Sequence, residues 1–186
     1  MRIASFSRPF PGERVCGDAV AVAVDSQATT LAVIDGLGHG EEAHRAAQVA
    51  KRVIESNASL SPALLLQRCH DALRDTRGAA MGVARLAQSG SGRFAGVGNI
   101  AVSSRGQNPV HAISFGGIVG HKMRKVVECS FLLGPGDVLC LFSDGLSSRL
   151  SLEEVDTARL EESAKKLVAR FGRDHDDATA ALAMLD

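Results

Sequence analysis

Short apolar runs that stop on an Asp-Gly pair constrain this chain more than any other feature. Leu31-Ala32-Val33-Ile34 runs into Asp35-Gly36, and Val138 to Ser143 runs into Asp144-Gly145. Runs this short, bounded by turn residues, read as strands rather than helices. Period-two alternation predicts a strand over 19–25, joined as a hairpin to 29–34 across a turn at Ser26 to Ala28. Further strands are expected over 79–87, 93–97, 100–104, 110–115, 124–132, 138–143 and 178–185. The alanines of the last suit a helix nearly as well.

Helical spacing is confined to three stretches. Ala43, Ala46, Ala47, Ala50, Val53 and Ile54 recur on one face of an expected helix from Glu41 to Ser56, with Glu41 and Glu42 suiting its N-terminal dipole. Ser61-Pro62 reads as N-cap and first residue of a second helix reaching about Arg74. A third is expected over 159–171. Strands set apart from helices in this way predict an α+β fold, not a parallel sheet of alternating strands and helices. With no repeat and no linker, residues 1–186 read as a single domain.

The chain has 186 residues, with 21 Lys and Arg against 21 Asp and Glu. Zero net charge argues against a nucleic-acid binder, which needs a basic face, and against polybasic membrane docking. Tyr and Trp are absent and Phe numbers seven, so stacking on bases is poorly supplied. No apolar run approaches the roughly 18–20 residues of a membrane span. Met1 to Pro11 lacks an apolar stretch, so no secretory signal is expected there. Cys16, Cys69, Cys129 and Cys140 show no CxxC spacing, which disfavours a zinc site. They read as reduced thiols, and the chain as cytoplasmic.

The chemistry rests on aspartates at strand ends. Asp18 follows Gly17, Asp35 and Asp144 close apolar runs, and Asp176-Asp177 precedes the last strand. One Asp-Gly alone is an ordinary turn; the repeated pattern is harder to read so. Carboxylates that converge repel one another unless a cation sits among them. Oxygen ligands without cysteine or paired histidine favour Mg²⁺ or Mn²⁺ over Zn²⁺. Two such ions about 3.5–4 Å apart would hold a bridging hydroxide for in-line attack on phosphorus. The glycines of Gly36-Leu37-Gly38-His39-Gly40 also suggest a phosphate loop, but spacing and context miss the dinucleotide motif.

Taken in order, Gly17-Asp18, Asp35-Gly36-Leu37-Gly38-His39-Gly40, Gly98-Asn99, Ser143-Asp144-Gly145-Leu146 and Asp176-Asp177-Ala178-Thr179 resemble the metal-dependent serine/threonine protein phosphatases. The superfamily is type 2C, in its bacterial sporulation-phosphatase branch. The likeness spans about residues 12–185. A short chain without a sensor domain is similar to stand-alone members that reset the bacterial stressosome. The resemblance implies a four-layer αββα sandwich of two antiparallel sheets flanked by helices, with two Mn²⁺ or Mg²⁺ in the cleft between the sheets. It makes Asp35 the catalytic carboxylate bridging both ions. Gly36 offers its carbonyl to one of them, and Asp18, Asp144 and Asp176 complete the metal set. Asp177 stands behind the ligands. Thr179 either orients the carboxylate loop or is a plain strand residue.

Two positions depart from the animal members. Leu37 stands where they carry a histidine; His39, in the same loop, is a candidate general acid, or simply a helix-start residue while a metal-bound water protonates the leaving group. No arginine occupies the family's phosphate-binding position; Arg14 is near it in sequence, or is an ordinary surface arginine. The activity implied is hydrolysis of phosphoserine or phosphothreonine by direct attack of a metal-bridging water. The partners implied are phosphorylated stressosome scaffold proteins or another anti-sigma-factor antagonist, with no nucleic acid and no membrane. The alternative is a phosphatase-like binding module with weak activity.

Overall fold

The computed structural model describes residues 1–124 and 126–186. Its elements in chain order are β1 (Arg2–Arg8), β2 (Asp18–Val24), β3 (Ala28–Gly36), α1 (Gly40–Glu55), α2 (Pro62–Ala72), β4 (Ala79–Ala87), β5 (Ser91–Val97), β6 (Ala101–Arg105), β7 (Cys129–Leu132), β8 (Val138–Phe142), α3 (Leu160–Phe171) and β9 (Ala178–Met184). One sheet runs β1-β9-β8-β6 and the other β2-β3-β4-β5-β7, every neighbouring pair antiparallel.

Side-chain parity decides the layers. Successive strand residues face opposite sides. On β3, Ala32 and Ile34 meet Ala46, Ala47 and Ala50 of α1 and Leu65, Leu66 and Cys69 of α2. Leu31 and Val33 face the other way and meet Leu139, Leu141 and Ala181 of the second sheet. Val138, Cys140 and Phe142, with Ala180 and Leu182, turn outward onto Leu160, Ala164, Leu167 and Val168 of α3. Helices, sheet, sheet, helix: the four-layer α+β sandwich is the observed architecture. Leu139 and Leu141 are fully buried between the sheets, where truncation to Ala costs about 2–5 kcal/mol.

Helix ends follow local chemistry. The Ser61 hydroxyl accepts the Leu64 N–H at 3.5 Å, with Pro62 opening α2. Tertiary packing decides β9. Its ATAALAM sequence is buried throughout, paired with β1 on one side and β8 on the other. A helix would leave those backbone groups of both neighbours unpaired.

The fold departs from the sequence reading in three places. β1 was not anticipated, because Ile3 packs between the sheets while Ala4 and Phe6 face α3, and polar residues between them blur the alternation. Residues 110–115 are not a strand. Phe115 bridges Val97 in parallel, and the Ser114 hydroxyl donates to the Ile100 carbonyl, so this segment crosses the end of β5 rather than extending a ladder. Of the strand expected over 124–132, only Cys129–Leu132 pairs, and Lys125 lies outside the described residues.

Candidate metal centre

The same parity that builds the core gathers the carboxylates. Asp35 continues the Leu31, Val33 side of β3, and Asp18 the Val20 side of β2, so both face the space between the sheets. They sit directly opposite each other in the β2–β3 register. In the other sheet, β8 ends and β9 begins at the same end of the sandwich, since Phe142 pairs with Ala180. Asp144 leaves β8 there, and Asp176-Asp177 enters β9. Two edges of two sheets thus deliver the carboxylates to one place.

Hydrogen bonds fix them. Ser143, fully buried, donates its hydroxyl to Asp18 Oδ2 at 2.7 Å and accepts the Thr179 N–H at 3.0 Å, tying the sheets together. The Thr179 hydroxyl donates to Ser7 Oγ on β1 at 2.7 Å. Asn99 Nδ2 donates to Asp144 Oδ2 at 2.6 Å. Asp177 Oδ1 accepts the Phe10 N–H at 2.9 Å, and the Asp177 N–H donates to Asp176 Oδ1 at 3.0 Å. Two glycines let backbone come close. A Cβ on Gly36 would lie 2.1 Å from the Ala43 carbonyl oxygen, and one on Gly145 would lie 1.7 Å from that of Asp177.

The electrostatics are those of crowded anions. Burial, then the charges of Asp18, Asp144 and Asp176, raises Asp35 far above the usual carboxylate range. Burial also raises Asp18, with Asp177 and Asp176 adding to it while the Ser143 and Thr179 hydroxyls oppose it. Asp176 is raised by burial and then by Asp144. Asp18 Oδ1 and Asp177 Oδ2 are buried with no hydrogen-bond partner. Orphaned buried carboxylate oxygens among like charges fit a hard divalent cation. Among the described residues no three His, Cys, Asp or Glu side chains meet at one ready-made ligating point.

The remaining expected residues sit at the rim. His39 is the residue before α1; its Nδ1 lies 2.7 Å from Glu13 Oε1 and its ring stacks on Phe10 at 4.4 Å between centroids. Arg14 is exposed and has no hydrogen bond or ion pair among the described residues. The roles of Ser143 and Asn99 emerge only in three dimensions, although both stand inside motifs the sequence singles out. Thr179 acts on the centre through its backbone N–H as well as its hydroxyl.

A family model described as Stage II sporulation protein E (SpoIIE) matches residues 25–185. The chain belongs to the SpoIIE family. It is a phosphatase domain of the type-2C class. Phosphoserine phosphatase RsbX of Bacillus subtilis (strain 168) is 24% identical over 139 residues, covering 73% of this chain and 70% of that protein. The crystal structure of RsbX in complex with magnesium superposes with a TM-score of 0.84 at 21% identity, over 99% of this chain and 94% of that one. A solved chain from work on the bacterial stressosome, as a modular system adapted to control secondary messenger signalling, is 31% identical. It covers 97% of both chains with a TM-score of 0.91. The SpoIIE-family sandwich therefore carries its carboxylates where the two sheets meet.

Proposed function

We propose that this SpoIIE-family domain is a Mg²⁺- or Mn²⁺-dependent phosphoserine and phosphothreonine protein phosphatase that acts on phosphorylated stressosome scaffold proteins. The observation that carries the reading is the orphaned, buried oxygen on Asp18, set among carboxylates that repel one another. Asp18, Asp35, Asp144, Asp176 and the Gly36 carbonyl would hold two ions. Bound there, divalent ions supply Lewis-acid polarisation of the phosphoryl oxygens and acidify water.

The chain's own residues position and exclude. Ser143 holds Asp18 in one rotamer, and Asn99 holds Asp144. Phe10 and Asp176 pin Asp177 from either side. A water oxygen forms a bond to phosphorus as the bond from phosphorus to the seryl oxygen breaks, and the proton the water loses passes to solvent, from which His39 is reprotonated after it has donated. The leaving oxygen takes its proton from His39 Nε2, whose ring Glu13 orients through Nδ1. The buried thiols are poor nucleophiles. Burial, with the charges of Asp18 and Asp177, pushes the Cys16 thiol far up, while burial pushes Cys69 and Cys140 up to about 12.

The same reading puts the chain in the cytoplasm with its partners. Its four cysteines are free, and among the described residues no helix is long and apolar enough to cross a membrane. Phosphate release, followed with Mn²⁺ from a phosphorylated scaffold protein and from a phosphorylated anti-sigma-factor antagonist, tests the assignment. Faster release from the scaffold is expected. Faster release from the antagonist would reassign the partner and keep the chemistry. Release from neither would overturn the proposal.

A further inference from the structure

Beside the carboxylates lies a groove of about 590 Å³, lined by Phe115, Gly116, Gly117, Lys122, Arg124 and Val127. It is joined to the centre by a short path. Asn99, which holds Asp144, follows Gly98, and the Gly98 N–H donates to the Phe115 carbonyl at 2.9 Å. The Gly117 carbonyl oxygen lies 3.5 Å from where a Cβ on Gly98 would stand. From the other side, Gly36 pairs with Ala79, and Ala79 pairs with Val119 through hydrogen bonds of 3.0 and 2.9 Å. The Ile118 N–H closes the loop onto the Lys122 carbonyl at 2.9 Å.

The groove combines exposed apolar side chains with cations that have no carboxylate partner. Phe115 and Val127 stay 39% and 38% exposed, and neighbouring Ile113 67%. Arg2, Arg45, Lys51, Arg74, Arg85, Arg93, Arg159 and Arg170 pair with carboxylates, while Arg14, Arg52, Arg68, Lys165 and Lys166 lie unpaired on other faces among the described residues. Among the described residues Lys122 and Arg124 have no ion pair and no side-chain hydrogen bond. Arg77 is likewise without a partner, and its Nη1 stands 3.0 Å from where a Cβ on Gly38 would be, over the loop that follows Asp35. Cations free of partners beside a carboxylate centre complement a ligand that carries further negative charge.

We infer that this groove docks the stretch of the phosphoprotein flanking the phosphorylated residue, and that it selects an apolar side chain next to acidic ones. Phe115 and Val127 take the apolar side chain; Lys122 and Arg124 meet the acidic ones. Arg77 faces the phosphorylated residue from the Gly38 side. The inference rests on the phosphatase reading for its substrate and adds which sequences around the phosphate are preferred.

Two fluorescein-labelled peptides test it, each carrying a non-hydrolysable phosphonate mimic of phosphoserine and a leucine, one with two glutamates and the other with two lysines. Binding is read by fluorescence anisotropy with Mg²⁺ present. The glutamate peptide should bind about fivefold tighter, the ratio that two exposed ion pairs supply. In Lys122→Glu/Arg124→Glu the order should invert, and Phe115→Ala should weaken both peptides alike; melting temperatures check that both variants fold. Equal binding of the peptides, or a ratio untouched by charge reversal, overturns the inference. So does a change in sedimentation of the double variant without a change in that ratio, which would give the groove to a second copy of the chain. Hydrolysis of 4-nitrophenyl phosphate by the unaltered chain reports on the centre separately. Hydrolysis without a peptide preference defeats the groove, whereas a preference without hydrolysis supports the groove and defeats the phosphatase reading.

Discussion

Ser143→Ala removes a buried hydroxyl that joins the two sheets at the carboxylates. The Ser143 Oγ is fully buried, donates to Asp18 at 2.7 Å and accepts from the Thr179 N–H at 3.0 Å. Alanine fits the space but leaves a carboxylate oxygen and a backbone N–H without partners. A hydrogen bond to a charged group is worth about 1.5–3 kcal/mol, and an orphaned buried donor costs about 1–3 kcal/mol. Asp18 already carries one unpartnered oxygen, and the Thr179 hydroxyl beside it offsets only part of the loss. The expected destabilisation is about 3 kcal/mol, or a fall of about 6–12 °C in Tm for a chain of this size. Urea unfolding in chelator at pH 7.5 measures it, and combining the variant with Asp18→Asn isolates the pair. A loss below about 1 kcal/mol, or full additivity of the two substitutions, would refute the claim that Ser143 holds Asp18.

Further outcomes follow from the same geometry. Asp18, Asp35 and Asp176 all have carboxyl groups raised by burial and like charge, so the folded chain keeps protons that the unfolded chain has released. The contribution of these three groups to the stability of the metal-free protein is therefore fully present below the ordinary carboxylate range and is lost as pH rises through neutrality. Urea midpoints in chelator from pH 5 to 8 check the sign, and a rise with pH would contradict it. Asp35→Asn should raise the Tm of the metal-free chain by relieving repulsion and abolish the Tm gain on adding Mn²⁺; scanning calorimetry with and without the ion reads both. Gly145→Ala, whose Cβ would lie 1.7 Å from the Asp177 carbonyl oxygen, should lose Mn²⁺ binding in a titration and unfold well below the parent. His39→Gln should lower kcat on a phosphoserine peptide by about 100-fold and barely affect 4-nitrophenyl phosphate, whose leaving group needs no proton. Equal losses on the two substrates would remove His39 from the proton path.

What the sequence disclosed divides along physical lines. Local signals were legible: the β2–β3 hairpin, the Ser61-Pro62 start of α2, and the Asp-Gly endings that put Asp35 and Asp144 at strand ends. These depend on neighbours in sequence. The layer order came from resemblance, because period-two patterns do not say which sheet a strand joins. β1 escaped notice because it meets α3 with one face and the other sheet with the opposite face, so it lacks a clean polar side. Ser143 and Asn99 escaped notice as supports for Asp18 and Asp144. Ser143 reaches across 125 residues of sequence and Asn99 across 45, and such contacts leave no periodic trace. The groove beside Gly98 was hidden for a further reason: residues 110–115 carry strand-like composition yet cross the end of β5 as an irregular segment.

Phosphate release from a phosphoserine protein, measured on the chelated chain, then after Mn²⁺ is restored, and again with Asp35→Ala, addresses the central claim most directly. The carboxylate centre predicts no release in chelator, recovery with the ion, and none from the variant under either condition. Release that persists after complete metal removal, or that survives Asp35→Ala, would contradict it.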